Sequence, residues 1–164
     1  MYQLHTILPP RKRSLKAQVQ EFAIPKDLKW RKSMSKLLFI AIGGAIGALL
    51  RYALSDVAYK YLGSGFPWGT LCVNLLGAFT IGILWGLSEK TTISSDFRTF
   101  AFIGILGSFT TFSTYGLETF SLFRDGEIKL ALANVLITNV LGIALVLTGF
   151  IASKYLTIFI SKRL

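Results

Sequence analysis

The chain has 164 residues, 52% of them hydrophobic and 16% charged, with a formal net charge of +10. A soluble domain carries about 25% charged residues, and here the apolar residues come in blocks rather than at core periodicity, so the chain belongs to the membrane class as one compact bundle. One cysteine (Cys72) and one histidine (His5) exclude an intrachain disulfide framework or a Cys/His metal site, and no Ser/His/Asp cluster presents itself, so no enzyme is expected.

Residues 1–33 form a basic N-terminal extension. Nine Lys or Arg fall within residues 1–36, against only Glu21 and Asp27. Leu15, Val19 and Phe22 recur at helical spacing and Pro25 ends the pattern, so the extension is either an interfacial amphipathic helix near Trp30 or a disordered tail. The basic cluster abuts a membrane segment, where positive charge marks the cytoplasmic side, and no nucleic-acid partner is expected.

Residues 34–164 read as a four-helix unit. The spans are Leu37 to Tyr59, Trp68 to Leu87, Phe97 to Phe123, and Leu130 to Phe150 with an apolar continuation to Ile160. Each meets the roughly 20 residues a bilayer requires. The connections are short, which favours antiparallel neighbours, and Gly63 and Gly126 mark tight turns. An even number of spans puts both termini on one side. That side holds fourteen Lys/Arg against four on the other, which predicts cytoplasmic termini in a multi-pass protein of the cell (plasma) membrane.

In the first span Gly43 and Gly47, and likewise Gly44 and Ala48, place small residues on one face, as Gly82 and Gly86 do in the second. Arg51 either snorkels to the interface or forms part of an anion-attracting vestibule. Asn74, deep in the second span, either bridges helices or donates its amide to a small anion, and Thr70 shares its face.

The third span carries the sharpest signal. Residues 107–118 read Gly-Ser-Phe-Thr-Thr-Phe-Ser-Thr-Tyr-Gly-Leu-Glu, rich in hydroxyl donors such as Thr114, with no carboxylate before Glu118. Lipid gives polar groups no partners, so this run faces protein or a water-filled path, and its donors suit a small anion. Either the helix breaks around Gly107–Thr110 and frees carbonyls for a cation such as Na⁺, or it stays intact with its hydroxyls bonded to carbonyls four residues back. Phe112 and Tyr115 lie three apart on one face, and aromatic ring edges are electropositive. In the fourth span Asn134 and Thr138 are co-facial, and Asn139 and Thr148 add further polar groups.

Three stretches in order, Gly43-Gly-Ala-Ile-Gly-Ala-Leu-Leu-Arg-Tyr52, Pro67-Trp-Gly-Thr-Leu-Cys-Val-Asn-Leu-Leu-Gly77 and the Gly107–Glu118 run, resemble the Fluc/CrcB family of fluoride channels. The resemblance covers most of residues 37–150. It implies an all-α membrane protein with four transmembrane helices, a break in the third, and assembly as a dual-pore antiparallel dimer around a structural Na⁺ at the dimer interface. By that resemblance the backbone carbonyls of Gly107 and Thr110 hold the Na⁺. Phe112 and Tyr115 take the places of two pore-lining phenylalanines, with Asn74 reaching the fluoride path. Arg51, Thr114 and Glu118 fall near that route, and Asn134 and Thr138 on the polar track of the fourth helix.

Tyr115 departs from the family's second phenylalanine, and Asn134 stands where members often have tyrosine. The basic extension lies outside the family core, and its charge bias suggests pairing with an oppositely oriented paralogue. The function implied is passive export of fluoride from the cytoplasm. The alternative is a proton-coupled small-molecule exporter, also four-helical and dimeric, which needs a carboxylate deep in a span; Asp56 and Glu118 fit that poorly.

Overall fold

Apolar runs of this length satisfy their backbone in lipid only by coiling into helices or closing a barrel, and here they coil. The computed structural model describes residues 30–89 and 93–161. Helix α1 covers Trp30–Leu62 and α2 covers Trp68–Ser88. The third span is assembled from α3 (Ser95–Arg98), a π-helical stretch (Thr99–Leu106), α4 (Gly107–Phe109) and α5 (Phe112–Arg124). Helix α6 covers Ile128–Ser161. Four segments are long and apolar enough to cross a membrane: Met34–Leu62, Trp68–Ser88, Ser95–Arg124 and Ile128–Ile158. The four expected spans are all present, and α1 and α6 overrun the expected limits because their flanking residues continue the helical hydrogen bonding. The basic extension expected over residues 1–33 lies, up to position 29, outside the described residues.

The turns form where glycine permits them. Gly63 has φ +80° and its N–H returns to the Tyr59 carbonyl at 3.0 Å, closing α1. Gly126 has φ +83°; its N–H reaches the Phe123 carbonyl at 3.2 Å while Glu127 reaches Leu122 at 2.8 Å. That double bond is a Schellman closure of α5, and it sends the chain straight into α6.

Small residues set the helix contacts. A Cβ on Gly43 would lie 2.7 Å from the Phe100 carbonyl oxygen, and one on Gly47 would overlap the Ile105 carbonyl, so α1 packs directly on the π-helical backbone. Gly82 and Gly149 bring α2 and α6 into backbone contact, through the Val146 and Phe79 carbonyls, and Gly86 seats the buried Ser153 side chain. The stripes at Gly43/Gly47 and Gly82/Gly86 are therefore packing faces, as their spacing predicts. Gly44 is different: the nearest atom to a Cβ there is Ser108 Oγ at 3.3 Å.

Candidate functional site

The polar groups of the spans gather on two sides of α5. Helix α4 ends at Phe109, and Thr110 (φ −76°, ψ 156°) and Thr111 (φ −146°, ψ 117°) have extended backbones before α5 begins. Gly107 itself is helical (φ −62°, ψ −32°), so the extended pair falls at the C-terminal edge of the expected Gly107–Thr110 window, with Thr110 inside it and Thr111 one residue beyond.

On the α2 side, Asn74 takes both main-chain groups of Thr111. The Thr111 N–H donates to Asn74 Oδ1 at 2.8 Å, and Asn74 Nδ2 donates to the Thr111 carbonyl at 3.1 Å. The pairing also fixes the amide's orientation, since a flip would oppose donor to donor and acceptor to acceptor. Asn74 thus bridges two helical elements, and one of its two N–H hydrogens remains for another acceptor.

Thr111 then caps α5. Its Oγ1 accepts from the Thr114 N–H at 3.3 Å and donates to Thr114 Oγ1 at 3.0 Å. Carbonyls along the break lose their helical donors, those of Gly107 and Thr110 among them. In an unbroken helix Thr111 N–H would serve the Gly107 carbonyl and Thr114 N–H the Thr110 carbonyl; here both N–H groups bond to side chains instead. The Thr110 hydroxyl bonds back to the Leu106 carbonyl at 3.0 Å, the intra-helical alternative open to such residues.

Further along α5, Glu118 faces α1 and α2. Its Oε1 accepts from the Tyr59 hydroxyl at 3.0 Å and the Thr70 hydroxyl at 2.9 Å. Its Oε2 is buried without a hydrogen-bond partner among the described residues.

The α6 side forms a second cluster. Asn134, 1% exposed, donates to Thr119 Oγ1 at 2.8 Å and accepts from Thr138 Oγ1 at 3.3 Å. Asn139 donates to the Tyr115 hydroxyl at 3.1 Å, leaving the tyrosine proton to be given elsewhere. Phe112 and Tyr115 touch, with ring centroids 5.6 Å apart at 51°. Their surroundings differ sharply, because Phe112 is 82% exposed and Tyr115 is 9% exposed beneath α6.

The structure thus joins Asn74 to Thr111, Thr111 to Thr114, Phe112 to Tyr115, and Asn134 to Thr138. Arg51 is partly buried on α1 and makes no hydrogen bond to either cluster among the described residues. Among the described residues no three His, Cys, Asp or Glu side chains converge, so a cation here would have to rely on carbonyl and hydroxyl oxygens. Sequence reasoning missed Tyr59 and Thr119, and counted Thr111 only among the hydroxyl donors of the Gly107–Glu118 run, not as a cap. The signal for Thr111 as a cap is a threonine directly before a helical stretch, an N-cap preference; Tyr59 and Thr119 carry no local signal.

Four apolar spans, one of them interrupted by two extended threonines and flanked by hydrogen-bonded polar clusters, define a multi-pass membrane protein with a polar discontinuity within its span. Irregular backbone at membrane depth is tolerated where it is buried in protein or lines a water-filled cavity, the arrangement of channels and transporters. Residues 38–150 match the family model of the CrcB-like protein, Camphor Resistance (CrcB), and the chain belongs to that family. It is 53% identical over 116 residues to the "Fluoride-specific ion channel FluC" of Salinibacter ruber, covering 71% of this chain and 87% of the relative. It is 46% identical over 124 residues to the protein of the same name from Aquifex aeolicus, covering 75% of this chain and all of the relative.

Proposed function

We propose that the chain is a subunit of a fluoride-selective channel that lets the anion leave the cytoplasm passively and so lowers its toxicity. It carries no reaction. The observation that supports the reading most directly is the discontinuity at Thr110–Thr111: it gives α5 a free N-terminus within the span, beside the Asn74 amide. Such a terminus carries unpaired N–H groups and the positive end of the helix dipole, which attract a small anion. The remaining Asn74 hydrogen, the Thr114 and Tyr115 hydroxyls and the Phe112 ring edge add donors that can replace the ion's hydration at close quarters. Beyond them Thr138 and Asn134 continue the polar groups along α6. Arg51, set apart on α1, draws anions toward the mouth by its charge alone. Fluoride enters cells as neutral HF in acid surroundings, dissociates inside, and the membrane potential then drives the anion out.

The working unit of this reading is an antiparallel dimer with two pores and a structural Na⁺ at its interface. The residues are compatible with the ion: the Gly107 and Thr110 carbonyls are among those that lose their helical donors at the break. Hard cations take about six oxygens, so two carbonyls from one chain call for a second subunit. With both termini cytoplasmic, the fourteen-to-four charge bias, nine of the fourteen lying within residues 1–36, favours one insertion direction and hence an oppositely oriented paralogue as partner.

Fluoride efflux from liposomes tests the proposal, with this protein alone and with a paralogue. No flux in either preparation refutes the channel. In an active preparation Phe112→Ile keeps the bulk and removes the ring edge, and flux should fall about ten-fold or more if the ring supplies over 1.4 kcal/mol to the passing ion; unchanged flux removes Phe112 from the pore wall.

A further inference from the structure

A carboxylate beside an anion route repels the ion it should pass. Glu118 stands four residues after Thr114 on α5, and its side chain meets Thr70 on α2. Both of its recorded hydrogen bonds fall on one oxygen: Tyr59 and Thr70 donate to Oε1, while Oε2 is buried with no donor among the described residues. A buried carboxylate oxygen without a donor is unfavourable. The group therefore gains by swinging Oε2 toward any water or donor in the adjacent path, and the two hydroxyls on Oε1 oppose that swing.

Tyr59 is well placed to oppose it. Its ring lies on Gly69, where a Cβ would overlap the ring carbons, so packing between α1 and α2 seats the ring independently of Glu118. Thr70 is buried one residue further along α2. The two donors thus come from different helices, and together they fix the carboxylate from two directions.

We propose that Tyr59 is a positioning residue that, with Thr70, latches the Glu118 carboxylate out of the anion route along α2 and α5. Its effect on flux rests on the channel reading above, whereas the latch itself is a hydrogen bond that can be read without transport. Tyr59→Phe keeps the ring on Gly69 and removes only the hydroxyl. In low salt of about 20 mM this variant should conduct fluoride about five-fold more slowly, the size of one unit-charge contact in a water-filled passage. At about 500 mM salt, where screening acts within several ångströms, most of the deficit should disappear. Tyr59→Phe should also add nothing in a Glu118→Gln background.

Infrared difference spectra complete the test. The carboxylate band assigned by subtracting Glu118→Gln should shift in Tyr59→Phe protein, whether or not that protein conducts. Wild-type flux in Tyr59→Phe, a deficit equal at both salts or persisting without the Glu118 charge, or an unmoved band each overturns the latch. Absence of fluoride flux in the wild-type protein refutes the channel reading instead, and the infrared measurement then still decides the latch.

Discussion

Replacing Asn74 by alanine isolates what holds the interrupted helix together. The substitution removes two hydrogen bonds, at 2.8 and 3.1 Å, and leaves the Thr111 N–H and carbonyl without those partners. Net hydrogen-bond contributions are about 0.5–1.5 kcal/mol each, and interhelical polar contacts in membrane proteins average about 0.6 kcal/mol. Leaving the Thr111 N–H without its acceptor raises the cost above that average, to about 2 kcal/mol in all, or about a thirty-fold fall in the folded-to-unfolded ratio. Unfolding by sodium dodecyl sulfate in mixed micelles, followed by circular dichroism, measures this directly. Thr80→Ala is the control, because among the described residues the Thr80 hydroxyl bonds only to its own helix at the Leu76 carbonyl. A role for Asn74 as an ion ligand alone predicts lost flux at unchanged stability. An Asn74→Ala protein within about 0.5 kcal/mol of wild type, the range of changes without a structural mechanism, would therefore refute the bridge.

Two further outcomes follow from the packing and the freed carbonyls. Gly47→Ala drives a methyl into the Ile105 backbone carbonyl, which cannot rotate away, and should cost about 1–3 kcal/mol in the same unfolding assay. Gly44→Ala, three residues earlier, meets only Ser108 Oγ at 3.3 Å and should stay within about 0.5 kcal/mol. If Gly107 and Thr110 carbonyls share a Na⁺ with a second subunit, exchanging Na⁺ for a bulky organic cation should dissociate the dimer in detergent, as read by size-exclusion chromatography with light scattering. A dimer that persists unchanged through that exchange argues against the sodium assignment.

How much of this was legible in the sequence depends on whether the cause is local. The spans were, because block hydropathy and length decide what a bilayer accepts. So were the turns at Gly63 and Gly126, since positive φ selects glycine. The small-residue faces were too, although only the structure separates Gly47, pressed on backbone, from Gly44, which has a side chain for a neighbour. The π-helical stretch Thr99–Leu106 was not legible. Its apolar residues suit either hydrogen-bond spacing, and contact with Gly43 and Gly47 arises only once α1 is packed against it. The extended residues were expected around Gly107–Thr110 from the glycines and the Thr/Ser run, and they fall at its end, at Thr110 and Thr111, where Asn74 on another helix provides the substitute partners. Tyr59 and Glu118 lie fifty-nine positions apart, and no periodicity joins residues at that separation.

The interruption has two ends of opposite character, and that bears on why one chain should attract both a cation and an anion. The run closing at Phe109 ends in carbonyls, the negative pole of a helix, whereas α5 opens with N–H groups, the positive pole. Asn74 neutralises one group of each kind on Thr111, and the Thr111 hydroxyl one more N–H. Neither supplies a donor to the Gly107 or Thr110 carbonyls. Within a membrane such groups are unfavourable unless water or an ion reaches them. An occupied cation site on that side would offset the exposed carbonyls and add positive potential beside the path at α5. The proposed sodium and the proposed fluoride route thus depend on the same two threonines, and a change that restores helix across Thr110 and Thr111 removes the basis for both.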